Sequence, residues 1–216
     1  MDPGVICLSE TAMRSFLDKF YYKSVTCGVF AILAFILVLP VPSAAYERYK
    51  RVKKFDNYFS KYTKRYFGTA FDWRHFKAQA VAESRLNANA KSHVGAEGIM
   101  QIMPRTFKEI RKKHPAIKGT RKQPRWNIAA GIYYDRQLWV TWKAKRPFRD
   151  RLNFTFGSYN AGKGNVIKAQ RAAEKKGLNP NLWESIEKEL PVITGKNSKE
   201  TIGYVKKIET ITEVLH

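Results

Sequence analysis

The sequence predicts an all-α fold. Apolar residues recur at three- and four-residue spacing along most of the chain, and β-type alternation is scarce. Asp, Pro and Gly also stand where helices start and stop. With 216 residues, 44% of them hydrophobic, the chain can bury one core in one domain but hardly in two. In order, Phe55, Tyr58, Phe59, Tyr62 and Tyr66 share one face of a helix over 54–67, which Gly68 ends. Asp72 is placed to cap the next helix, which carries Glu83. Residues 87–98 are rich in Asn, Ser and Gly and read as loop. Pro104 suits the first turn of a helix running to about Lys113. Further helices are expected over 127–142, 151–158, 165–176, 181–190 and 199–213.

The first 45 residues read as an export signal or an anchor. An apolar run without charges covers 25–39. Arg14, Lys19 and Lys23 precede it, and Pro40, Pro42 and Ser43-Ala44-Ala45 follow. Positive flank, short apolar run and small-residue exit describe a secretory signal with cleavage near Ala45. A retained membrane helix is the alternative, but reaching about 20 residues means counting through two prolines. Arg48, Lys50, Arg51, Lys53 and Lys54 crowd the far side and oppose translocation. The organisation expected is a signal or anchor over 1–45, a basic aromatic lead-in over 46–70, and a catalytic domain over 71–216. Cys7 and Cys27 both precede the expected cleavage point, so the domain has no thiol chemistry or disulfide. His75, His93, His114 and His216 show no ligand spacing, and neither metal nor cofactor is expected.

Lys and Arg number 40 against 18 Asp and Glu, a formal charge of +22. Residues 1–45 hold three of each sign, so the whole excess belongs to the rest. Such a field attracts anionic polymers: wall polymers, lipid headgroups or nucleic acid. A specific nucleic-acid reader is not expected, because no reader motif accompanies the charge.

The chemistry concentrates between Phe71 and Thr106. In a helix, Glu83 shares a stripe with Phe76, Gln79, Ala80 and Leu86. A carboxyl among such neighbours loses hydration, its protonated form is favoured and its pKa rises. That is what a general acid needs near neutral pH.

Glu83-Ser84, Ala90-Lys91-Ser92-His93-Val94-Gly95-Ala96-Glu97-Gly98-Ile99-Met100-Gln101-Ile102-Met103-Pro104, Asn127-Ile128-Ala129-Ala130-Gly131, Ser158-Tyr159-Asn160-Ala161-Gly162 and Glu200-Thr201-Ile202-Gly203-Tyr204-Val205 follow one another in order. Together they resemble the lytic transglycosylase family, with its goose-type lysozyme-like fold, and most nearly the catalytic domains of the membrane-bound murein transglycosylase F group. Ile99 stands where that pattern usually has Leu, and Ser158 where it usually has Ala. The resemblance implies cleavage of peptidoglycan between N-acetylmuramic acid and N-acetylglucosamine, leaving a 1,6-anhydro end. It implies Glu83 as the single acid and base. Ser92, Gly98, Met100, Gln101, Met103, Tyr159, Asn160, Glu200 and Tyr204 would bind the glycan or support the cleft. Tyr159 is expected near Glu83 or the N-acetyl group, and Glu97 is read as exposed. The expected location is the periplasm or cell envelope, exported or held at the inner membrane, or a phage virion. Two alternatives stay open: a lysozyme-type hydrolase using Glu97 as second acid, and a non-catalytic wall-docking part of a phage particle or secretion machine.

Overall fold

The structure is a computed structural model that describes residues 43–216; the apolar run at 25–39 lies outside the described residues. Among the described residues all regular structure is helical: α1 (Ala44–Arg51), α2 (Asp56–Phe67), α3 (Arg74–Ser84), α4 (Pro104–Lys113), α5 (Pro124–Thr141), α6 (Phe148–Ala161), α7 (Lys163–Lys175), α8 (Trp183–Thr194) and α9 (Asn197–Leu215). Extended pairing is limited to isolated bridges from Glu97 to Lys91 and Ile102. None of these helices is long and apolar enough to cross a membrane.

The expected helices form with ends shifted by a few residues: α6 runs further than expected at both ends, whereas α2 and α8 begin later. Pro104 and Pro124 sit in the first turns of α4 and α5, where a missing N–H costs nothing. Asp72 works one residue earlier than a usual cap, its Oδ1 accepting the Arg74 N–H at 2.8 Å. Asp150 of α6 accepts the Trp183 N–H at 2.6 Å and so ties the start of α8 to α6. The helix α1 was not expected from the pattern, since six of its eight residues are exposed and much of it is basic. Tyr49, only 5% exposed, anchors it, and α1 packs on α9. The aromatic stripe of α2 packs on α5, with Phe59 and Tyr62 buried.

The helix α3 runs through the middle of the core. Phe76, Ala78, Gln79, Ala80 and Val81 are fully buried, and α9 packs along it. Burial on so many sides holds its C-terminal end, where Glu83 sits, in a fixed place. Lys77 is buried too, against expectation for a lysine. Its Nζ lies 2.8 Å from Asp56 Oδ1 and donates to the Val52 carbonyl at 2.7 Å, locking α3 to the junction of α1 and α2.

Lys77→Met, which keeps the stem and removes the charge, leaves Asp56 half-buried without its close cation. The expected loss is about 3 kcal/mol in urea unfolding. A loss under about 1 kcal/mol would class the pair with exposed salt bridges instead.

Candidate active site

Glu83 closes the last turn of α3, and the chain then turns sharply. Arg85 and Leu86 both take left-handed backbone conformations, φ 57° and 61°. Two consecutive such residues without glycine are strained, and they persist because Leu86 is buried and the Arg85 and Leu86 amides bond back to Val81 and Ala80. The strain sets the direction in which the loop leaves beside Glu83. Ser84 Oγ then donates to the Ile99 carbonyl at 2.8 Å, bringing the far end of that loop back to α3.

The loop is held from beneath by Asn127 of α5, which is fully buried. Its Oδ1 accepts the Met100 N–H at 2.7 Å, and its Nδ2 donates to the carbonyls of Glu97 (2.8 Å) and Arg121 (2.7 Å). Gly98, at φ 81°, admits no side chain here: a Cβ would lie 2.4 Å from Asn127 Nδ2. Gln101, at φ 44°, folds its amide back onto the carbonyls of Gly98 (2.8 Å) and Ala90 (3.2 Å). Ser92 Oγ accepts the Ala96 N–H at 3.0 Å.

Two tyrosines reach the site from other helices. Tyr204 of α9 donates its hydroxyl to Glu83 Oε1 at 2.6 Å. Tyr159 of α6 donates to the Met100 carbonyl at 2.7 Å and packs edge-on against Tyr134. Tyr134 also lines a cavity of about 380 Å³ with Thr106, Lys113, Gln137 and Lys163. At the other side Asn160 bridges to α9, accepting from Thr201 Oγ1 at 2.7 Å and donating to Glu200 at 3.4 Å.

Burial pushes the Glu83 carboxyl up to about 7, although the Tyr204 hydrogen bond and the Lys207 charge both pull it down. Lys207 donates to the Ala82 carbonyl at 3.2 Å, and burial lowers its own pKa. A carboxyl near 7 can give and take back a proton at neutral pH without a large driving-force penalty in either direction.

Glu83, Tyr204 and the Met100–Tyr159 contact are therefore brought together as a unit. Ser92, Gln101 and Asn160 keep part of their surface open, while Met103 and Glu200 are exposed. Met100, expected to face the glycan, is fully buried instead, its side chain lying where a Cβ on Gly131 would come within 2.8 Å. Only its backbone takes part in the site. Tyr159 bonds the loop, and Tyr204, expected as support, is the tyrosine on Glu83. Glu97 needs the plainest correction. It is 8% exposed, not solvated, and Arg121 Nε lies 2.6 Å from its Oε2. That hydrogen bond holds its pKa below the usual carboxylate value. Sequence reasoning also missed Asp135, fully buried on α5. The signal was there: a carboxylate at helical spacing from Ile128, Ile132 and Trp139, the same pattern that singled out Glu83.

Residues 57–181, more than half of the chain, match the transglycosylase SLT domain family. A curated relative, membrane-bound lytic murein transglycosylase F of Shewanella pealeana, is 30% identical over 164 residues, 74% of this chain and 33% of that protein. Its counterpart from Shewanella woodyi is 32% identical over the same shares. The chain thus spans about a third of the length of these relatives. Among solved structures, the 70 kDa soluble lytic transglycosylase of Escherichia coli matches with a TM-score of 0.57 and 27% identity, over 76% of this chain and 24% of that one. The lytic transglycosylase Slt of Pseudomonas aeruginosa matches in fold, with a TM-score of 0.59 at 22% identity over 74% and 24%.

Glu83 binds its proton more tightly folded, at about 7, than at its ordinary 4.5. The stability this proton contributes is complete below pH 4.5 and is lost as pH rises through 7. Glu83→Gln carries no such dependence. Its unfolding free energy should gain on the wild type across that window by up to about 3 kcal/mol, then run parallel above it. Urea unfolding on both sides of the window checks this; a constant gap between the two proteins would place Glu83 at an ordinary pKa.

Proposed function

Because the chain belongs to the transglycosylase SLT domain family, we propose that it is a peptidoglycan lytic transglycosylase with Glu83 as its acid and base. The observation that carries this reading is the Glu83 carboxyl, accepting the Tyr204 hydroxyl at 2.6 Å with its proton affinity raised by burial, beside a loop whose backbone is held by Asn127. Ordinary glycosidases need two carboxyl groups in separate roles. Here the candidate second carboxyl, Glu97, is 8% exposed and engaged by Arg121 at 2.6 Å, which leaves it poorly placed to meet a substrate or a water and disfavours the hydrolase reading.

In the proposed reaction, Glu83 gives its proton to the oxygen joining N-acetylmuramic acid to N-acetylglucosamine, and the bond from that oxygen to C1 breaks. The substrate's N-acetyl group stabilises the cationic C1. Glu83, now a carboxylate, takes the proton of the muramoyl O6 hydroxyl as O6 bonds to C1. The 1,6-anhydro ring closes, Glu83 is protonated again, and no water is consumed. The Tyr204 hydroxyl fits the charged midpoint best, because a hydrogen bond to a carboxylate is stronger than one to the neutral acid. Ser92, Gln101, Met103, Tyr159 and Asn160 would border the glycan, with Gly98 and Met100 shaping the loop from inside and Glu200 at the rim. The charge of +22 suits an anionic wall, and the proposed location is the cell envelope.

The decisive experiment incubates the full chain with purified sacculi and weighs the released muropeptides. Products lighter by one water than hydrolysed ones are expected, with the rate in Glu83→Gln down by about 10²–10⁴-fold. Reducing-end products would make the protein a hydrolase, and binding without release would make it a docking module. Tyr204→Phe removes a bond that favours the carboxylate, so the alkaline limb of its pH–rate profile should move to higher pH. A limb at the wild-type position would mean that the hydroxyl does not act on Glu83.

A further inference from the structure

Behind Glu83, two buried oxygens have no hydrogen-bond donor: Gln79 Oε1 and Asp135 Oδ2. They belong to side chains that are already joined, Gln79 Nε2 donating to Asp135 Oδ1 at 3.2 Å, and both residues are 0% exposed. Gln79 lies one turn before Glu83 on α3, and Asp135 lies on α5. An ionised Asp135 would be a buried charge with one weak hydrogen bond. The titratable groups around it are Glu83 of α3, Tyr134 of its own helix, Tyr159 of α6 and Tyr204 of α9; none is a cation. A carboxylate so placed carries a large uncompensated desolvation cost.

One proton removes both defects. On Asp135 Oδ2 it neutralises the charge and becomes the donor that Gln79 Oε1 lacks. A carboxylic acid and a primary amide then share two hydrogen bonds in a closed ring. We propose that Asp135 is held as the neutral acid, that its ring with Gln79 clamps α3 to α5 one turn behind Glu83, and that Asp135 is thereby a positioning residue for Glu83. The second half rests on the role proposed above for Glu83; the first does not. Burial drives the Asp135 pKa well above the carboxylate range, with the Glu83 charge adding to it. Neutrality matters to Glu83 in turn, because a charged Asp135 would oppose the carboxylate that Glu83 must become.

Infrared spectroscopy of the full chain tests the protonation directly. Glu83→Gln removes the other raised carboxyl, so a carboxylic-acid C=O band persisting above pH 7 should belong to Asp135 and vanish in Glu83→Gln/Asp135→Asn. No such band in Glu83→Gln overturns the neutral acid, whether or not the protein cleaves murein. The second arm uses soluble peptidoglycan fragments. Asp135→Asn can form the uncharged amide–amide ring, so its alkaline limb should stay at the wild-type pH. A limb moved down by about half a unit or more would show that a charge had been removed, and would overturn the proposal. Asp135→Leu leaves Gln79 with both polar ends unpartnered. Its kcat should fall about tenfold or more, with KM little changed and the rate regained in Asp135→Asn. An Asp135→Leu protein with wild-type kcat and pH profile would overturn the positioning role. If wild-type protein releases nothing from murein, the role proposed for Glu83 fails, and the infrared result stands by itself.

Discussion

The hydrogen bond from Tyr204 to Glu83 joins residues 121 apart in the chain, and most of the architecture serves to make it possible. A carboxyl in a wet groove would stay ionised, and one in a dry core without a partner would stay protonated. Glu83 lies between these limits. The helices α3, α6 and α9 remove enough water to raise its proton affinity, and one hydroxyl and one lysine keep the carboxylate within reach. Packing sets the first term and two side chains of α9 set the second. A small rotation of α9 would alter both.

The loop beside Glu83 is organised by a different device. It contains almost no regular structure, yet Asn127 meets three of its backbone groups or those of the neighbouring turn, and Tyr159 meets a fourth. Each bond satisfies a buried peptide group that would otherwise be costly to leave dry. Rigidity of this kind suits the glycan-bordering role proposed for the loop, since its groups would already be in place when a sugar arrived. The left-handed residues are held by bonds of their own, Arg85 and Leu86 through their amides to Val81 and Ala80, and Gln101 through its side chain to Gly98 and Ala90. Local strain is retained there because the surrounding bonds over-determine it.

Much of this was legible from the chain. Helical spacing located α2 through α9 to within a few residues, and the motif around Gly98 identified the loop. What misled were side chains whose neighbours come from afar. Glu97 sits in a polar loop and reads as solvated, but Arg121 folds over it. Met100 belongs to the loop motif and reads as a sugar contact, but Gly131 leaves a hollow that takes it inward. The helix α1 reads as a solvated basic run, because its one anchoring tyrosine is invisible without the helix it packs on.

By itself, the sequence determined that the fold is helical and which segments form it, and it singled out Glu83 and the motifs around it as the candidate site. Those follow from periodicity, breakers and residue types, which act over a few positions and need no partner. Only the tertiary structure decided which tyrosine meets Glu83, that Arg121 folds over Glu97, and that Asp135 lies buried against Gln79 with two orphaned oxygens. Proton affinities depend on water excluded and charges brought near by distant segments, so they are properties of the packed molecule and not of any stretch of chain.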